Sequence, residues 1–317
     1  MAQSILSAKV MQNEAAAIAW VESRVWPNGP VCPHCGGIER IGKMGGKATR
    51  IGLWKCYQCR KQFTVKVGTV FEDSHVPMNL WLQAMYLLCS SKKGISSNQL
   101  SRTLGVTLKT AWFMSHRIRE AMRVVGVVPM GGSGKIVEAD ETYIGRVEGK
   151  RKGRAGGAHK NAVLTLVERD GSARSFHIDN MKMQNIAPIV RENVERESHL
   201  MTDEARHYIA LGKEFAAHGS VEHTADEYVR EGYIHTNTVE GYFSIFKRGM
   251  KGVYQHCKEK HLHRYLAEFD FRYSNRIRLG IDDVERTERA IKGIVGKRLT
   301  YRTTPKRAAI WQEPTQS

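Results

Sequence analysis

Two cysteine pairs, Cys32-Pro33-His34-Cys35 and Cys56-Tyr57-Gln58-Cys59, constrain the first part of this 317-residue chain more tightly than anything else in it. Each CxxC knuckle offers two thiolates. Two knuckles separated by twenty residues read as a four-thiolate zinc ribbon. Gly36-Gly37 permits the tight turn after the first pair, and short strands are expected over 51–55 and 61–65. A redox dithiol rarely comes as two spaced pairs. The other two cysteines, Cys89 and Cys257, stand alone in helical contexts, which is poor disulfide arithmetic. Four thiolates leave no open coordination position, so the predicted zinc is structural. His34 reads as a solvated spacer inside its knuckle.

Three acidic residues carry the chemistry. Asp140 ends the strand-like run from Lys135, and Asp203 ends another from Ser198. Glu240 opens an amphipathic helix running to Lys247. Two strand-end aspartates and a helix glutamate can converge on one point and hold two magnesium ions. Such a pair clamps the attacking and leaving oxygens of a phosphodiester during in-line displacement. Lys247 follows Glu240 by two helical turns and shares its face. Asn237, three residues before Glu240, is either on the same helical side or the N-cap. The third ligand is therefore Glu240, with Asn237 as a supporting or substitute ligand. Strand alternation turns Glu141 and Glu204 away from the neighbouring aspartates, and both read as solvated carboxylates. Glu138 shares a face with Asp140 but lies deeper, as a supporting residue would.

The formal charge is +17 and the pI about 9.7, which predicts a polyanionic partner. The charge is clustered, in Lys150-Arg151-Lys152-Gly153-Arg154 and in Lys247-Arg248 with Lys251. No signal peptide is expected, and no apolar run approaches the ~18 residues of a membrane span. A cytoplasmic protein without a membrane partner is expected.

Residues 1–30 read as a helix ended by Pro27-Asn28-Gly29-Pro30, residues 31–66 as the ribbon, and residues 67–130 as a helical domain. In that domain Ser96–Gly105 is a capped helix, and a second helix starts at Thr107. The pair suggests a helix-turn-helix presenting Lys109, His116, Arg117 and Arg119 to DNA, against the alternative of an ordinary helical hairpin. Gly131-Gly132-Ser133-Gly134 looks like a linker. Strands follow at 135–140, 161–169 and 172–179, the last two joined at Asp170-Gly171. Then come a helix at 181–196, the Asp203 strand, a helix near 204–214, a strand near 219–223, the Glu240 helix and a last helix at 258–277. The order β-β-β-α-β-α-β-α over 131–280 is that of an RNase H-like α/β core with a mixed sheet. Residues 281–317 read as a basic, extended tail.

The segment His235-Thr236-Asn237-Thr238-Val239-Glu240-Gly241-Tyr242-Phe243-Ser244-Ile245-Phe246-Lys247-Arg248-Gly249 resembles the catalytic helix of bacterial insertion-sequence DDE transposases with an N-terminal zinc ribbon, the insertion sequence fifteen-ninety-five group. Asp140-Glu141-Thr142-Tyr143-Ile144-Gly145 and Thr202-Asp203-Glu204 match the group's aspartate motifs, and His261–Tyr265 with Glu268–Tyr273 continue the likeness. With the ribbon it covers about 30 to 280. The resemblance implies hydrolysis at element ends that frees a 3′-hydroxyl, which then attacks target DNA. It implies two Mg2+ or Mn2+ ions per site, terminal inverted repeats and target duplex as partners, a homo-oligomer on DNA, and a nucleoid-associated bacterial protein. In that group the third position is Asn in some members and Glu in others, so Asn237 and Glu240 both stay open. The glycine-rich loop after Gly145, with Arg146, Lys150, Arg151, Lys152 and Arg154, suits phosphate contacts, as do Lys247 and Arg248. The rival readings are a transcriptional regulator derived from a transposase and a host RNase H-like nuclease that cleaves without strand transfer.

Overall fold

The computed structural model describes residues 4–124, 126, 128–151, 157, 159–203, 208–221 and 233–300. The N-terminus is not one helix. Lys9–Gln12 (α1) and Glu14–Val25 (α2) are separated by Asn13, whose backbone is extended (φ −122°, ψ 123°). The Asn13 side chain accepts from Ala16 N at 2.9 Å, and this cap starts α2 afresh. Ile41–Lys43 (β1), Trp54–Cys56 (β2) and Gln62–Phe63 (β3) form an antiparallel sheet in that order. The ribbon is seated on the end of α2. Trp26 meets Trp54 and Phe63 edge-on at 6.2 and 5.8 Å, and Trp54 Nε1 donates to Glu22 at 2.8 Å.

Met78–Ser90 (α3), Ser97–Leu104 (α4) and Leu108–Met122 (α5) build the helical body. Ser96 caps α4, Gly105 ends it in the left-handed conformation (φ 66°), and Thr107 caps α5. The predicted helix pair is therefore present, but most of the basic residues assigned to its second helix do not face outward. His116, Arg117 and Arg119 are at most 4% exposed. Arg117 Nη1 donates to the carbonyls of Val70 and Glu72 at 2.9 and 2.7 Å, and Arg119 Nε donates to Glu268 at 2.6 Å. Neither arginine can serve the DNA contact assigned to it. Only Lys109, in the first turn of α5, is exposed. The spacing of α5 did not reveal that a later helix covers its second half.

From residue 136 the chain forms a second body. Its elements are Ile136–Ile144 (β4), Asn161–Glu168 (β5), Ala173–Ile178 (β6), Met183–Asn193 (α6), His199–Asp203 (β7), Tyr208–Gly212 (α7), Ala217–Val221 (β8), Asn237–Gly249 (α8) and Leu262–Ser274 (α9); Asp283–Lys292 (α10) then returns to the first body. The sheet order is β6-β5-β4-β7-β8, with β4, β5 and β6 antiparallel and β4, β7 and β8 parallel. Helices α6 and α7 bury one face, α8 and α9 the other. This is a mixed-sheet, RNase H-like arrangement. Asp140 does not end its strand, because β4 continues to Ile144 in register with β5.

Two further expectations are corrected. The 131–134 segment is no free linker: Met130 pairs with Val194, and Gly132 N donates to Ser198 Oγ at 2.9 Å. Gly131 (φ 94°) lies so close to the Ser198 side chain that a Cβ would collide with it. Residues 281–317 are not wholly a tail. Asp282 caps α10 through Glu285 N at 2.8 Å, and Ala290, Ile291 and Ile294 are fully buried in the core of the first body. Residues 301–317 lie outside the described residues. Among the described residues no helix is long and apolar enough to cross a membrane.

The two bodies meet at a buried ionic cluster. Glu268 on α9 is 0% exposed and is shared by Arg119 of α5, Arg272 and the Tyr254 hydroxyl. Burial alone would raise the Glu268 carboxyl, but the two guanidiniums hold it below the usual range. Removing one partner leaves uncompensated buried charge, which typically costs about 3–5 kcal/mol. Glu268→Ala should therefore lower the urea midpoint by an amount equivalent to about 3 kcal/mol or more. A loss below about 1 kcal/mol would show that solvent reaches the pair.

Candidate active site and metal centres

The four ribbon thiols form one group, with every Sγ within 4.8 Å of the others. Cys32 and Cys59 are 3.6 Å apart, Cys35 and Cys56 3.7 Å. A tetrahedral ion with metal–sulfur bonds of about 2.3 Å requires sulfur–sulfur edges of about 3.8 Å. The cluster fits that shape without rearrangement. The backbone N–H groups of Cys59 and Gln58, with the former dominant, bring the Cys56 thiol down to about 7, whereas burial pushes Cys32 up to about 12. The second knuckle is thus already disposed to present a thiolate.

The acidic site sits where β4 and β7 part. Their pairing runs from Ile136–His199 to Glu138–Met201 and stops there. Asp140 lies two residues beyond the last pair, and Asp203 ends β7. Their carboxylates join that of Glu141 in a group whose ligand oxygens all lie within 4.8 Å of one another. The solvated reading of Glu141 is therefore overturned. Alternation does start its side chain on the opposite face, but the strand edge is unpaired at this point. A side chain from either face can reach round an open edge. The Tyr208 hydroxyl of α7 donates to Glu141 and fixes it there. Asp140 Oδ1 accepts from Glu141 N at 2.6 Å. The adjacent acids were visible in the sequence, but the register that makes both useful was not. Glu204 lies outside the described residues.

Glu240 is on the first turn of α8 and is exposed. It lies outside the three-carboxylate group, yet its charge is among those that raise the Asp140 carboxyl. Asn237 is the first residue of α8 and not its cap, which is Thr236. Burial first, then the charges of Glu141 and Asp203, push the Asp140 carboxyl up to about 7. Burial and Asp203 raise Glu141 to about 7 against the opposing Tyr208 hydrogen bond.

The acids lie in a cleft of about 1150 Å3 whose walls include Arg146, Lys150, Arg151, Lys160, Lys247 and Lys251. Lys247 reaches it half-buried, over the Phe243 ring. Arg248 is exposed, bonded to Ser244 O at 3.1 Å, and does not line the cleft. Lys152 and Arg154 lie outside the described residues.

An acidic cluster at the parting of the first and fourth strands of a mixed RNase H-like sheet, behind a four-cysteine ribbon, defines a nuclease-type core with a zinc-ribbon front. Residues 131–274 match the ISXO2-like transposase domain and residues 12–62 the transposase zinc-ribbon domain. Both are models of transposase domains, and the chain is similar over these stretches to insertion-sequence transposases that carry an N-terminal zinc ribbon. It is 26% identical over 265 residues to an uncharacterized protein in transposable element ISH50 of Halobacterium salinarum, covering 78% of this chain and 86% of that one. A chain of the simian T-cell lymphotropic virus intasome in complex with PP2A regulatory subunit B56 gamma is 11% identical, with a TM-score of 0.27. That match covers 54% of this chain and 63% of the other, and it is too distant to place any residue.

Two outcomes follow from these centres. Purified protein should carry one zinc per chain by elemental analysis, and Cys56→Ser should lose most of it. Full retention in that variant would rule out the four-thiolate site. At the acidic site, unfolded Asp and Glu ionise near about 3.9 and 4.3, whereas folded Asp140 and Glu141 keep their protons to about 7. Between those limits the folded state binds more protons, so stability falls as pH rises. A divalent cation offsets the exposed repulsion. Added Mg2+ should therefore raise the melting temperature more at pH 8 than at pH 5, and Asp140→Asn should shrink the difference. An equal Mg2+ effect at both pH values would count against this charge cluster.

Proposed function

We propose that this protein cleaves DNA at the ends of a mobile element and joins the freed 3′ ends to target DNA, with two divalent ions, Mg2+ or Mn2+, held at the acidic site. What carries the reading is the grouping of Asp140, Glu141 and Asp203 on the floor of a cleft with basic walls. Hard oxygen donors on rigid strands suit Mg2+ or Mn2+ and do not suit soft metals. Such ions supply Lewis acidity and a deprotonated nucleophile at neutral pH. Asp140 and Asp203 ligate them, with Glu141 beside them and Glu240 or Asn237 approaching from α8. Arg146, Lys150, Arg151 and Lys247 bind backbone phosphates and hold the strand across the floor. The ribbon zinc is structural, one per chain. The substrates are terminal inverted repeats and target duplex, engaged by a homo-oligomer in the bacterial cytoplasm, at the nucleoid.

Asp140→Ala and Asp203→Ala should each abolish cleavage and joining of a duplex taken from the DNA flanking the gene, while binding of that duplex persists. Near-wild-type cleavage in either variant would sink the assignment. Cleavage without joining by the native protein would favour a nuclease, and binding with no cleavage at all a regulator. Glu240→Gln should lose Mg2+-dependent cleavage at least as severely as Asn237→Ala, because a carboxylate adds charge to the site and an amide only a dipole. The reverse order would make Asn237 the third ligand. Replacing Lys150, Arg151, Lys152 and Arg154 together by Ala should flatten the slope of log affinity against log salt. An unchanged slope would mean that the loop touches no phosphate.

A further inference from the structure

We propose that Glu138 is the positioning residue of the acidic site, a carboxylate on β4 that fixes where α8 begins relative to Asp140. The inference rests on the metal-dependent reading above. Glu138 is 0% exposed. Its Oε2 accepts from Thr238 N and Val239 N, both at 2.9 Å, which are N–H groups of the first turn of α8. Its Oε1 accepts from Thr238 Oγ1 at 2.7 Å and from Arg169 Nε at 2.6 Å. Arg169 Nη1 and Nη2 go on to the carbonyls of Tyr233 and His235 at 2.7 and 2.9 Å. His235 Nδ1 lies 3.3 Å from the carboxylate. One buried carboxylate thus collects the end of β5, the chain entering α8 and the first turn of that helix.

The usual means of starting a helix is missing here. Thr236, the N-cap residue of α8, makes no side-chain capping bond. An ionised carboxylate at a helix N-terminus is favoured by the unpaired N–H groups and the helix dipole, and burial strengthens both. A local Ser or Asn cap would satisfy the same N–H groups, but it would not tie the helix to the sheet. Glu138 does, because it is the last residue of β4 paired with β7 and stands two residues before Asp140 on the same strand face. The placement of α8, and with it of Asn237 and of the Glu240 charge that Asp140 feels, therefore depends on Glu138 and Arg169. Residues that orient metal ligands typically cost 10–100-fold in metal affinity or activity when changed.

The test uses Glu138→Gln in the full-length protein, with Mn2+ as the probe. The amide keeps the size but presents an N–H2 group to donors. The expected result is a rise of roughly 10–100-fold in the Mn2+ concentration giving half-maximal end cleavage. Zinc content and end binding should match the native protein, and Glu138→Asp should fall between the two. A purely structural role would lower the melting temperature while leaving the Mn2+ midpoint at 25 °C unchanged, and that result overturns the proposal. An unchanged midpoint with unchanged stability overturns it too. Should Glu138→Gln fail to fold, Arg169→Lys, which keeps the charge and loses the fork to the two carbonyls, is judged by the same Mn2+ midpoint. Activity in Asp140→Ala would overturn the metal-dependent reading itself. A native Mn2+ midpoint in Glu138→Gln beside a dead Asp140→Ala overturns this inference alone.

Discussion

Three carboxylates whose oxygens lie within 4.8 Å of one another repel, and much of the second body is arranged around that repulsion. Strand β7 leaves β4 at the point where the acids begin, so the sheet opens instead of burying them in a paired ladder. Burial first, and the neighbouring carboxylates after it, raise the carboxyls of Asp140 and Glu141. The walls of the same cleft carry the opposite charge, from Arg146, Lys150, Arg151, Lys160, Lys247 and Lys251. The Tyr208 hydroxyl keeps Glu141 turned toward the group.

A second buried charge cluster, around Glu268, holds the bodies together by the opposite arrangement. There the charges alternate in sign: Arg119 from the helical body, Glu268 between, and Arg272 beyond. Tyr265 packs against the Arg119 guanidinium at 4.1 Å and closes the site to water. A desolvated, directional contact of this kind sets one orientation between two bodies where an apolar face would permit several.

How much could be read from the sequence follows from the range of each signal. The CxxC pairs, the caps at Ser96 and Thr107 and the strand that ends at Asp203 are encoded in neighbouring residues, and they appear where the pattern puts them; the Asp140 strand is there too but runs on to Ile144. Most of the misreadings involve distant partners. Arg117 and Arg119 look like surface cations until residues near 70 and 268 are brought to them. Glu141 looks like a solvated carboxylate until the register of β4 against β7 and the hydroxyl of Tyr208 are known. The Gly131–Gly134 run has a linker's composition, but Gly131 serves a close approach to Ser198. Asn13 broke the first helix with a local signal that an amphipathic count alone passes over.

Helix α10 carries a consequence for how the polypeptide reaches its native state. Ala290, Ile291 and Ile294 complete the interior of a body whose other walls are Ala17, Trp81, Leu88 and Ile118. That body is assembled from segments on either side of the five-stranded sheet, which is threaded between them. A nascent chain cannot close the first body until α10 has been made. The first body is therefore completed only after the sheet of the second has been made, which ties the completion of both to one late folding event.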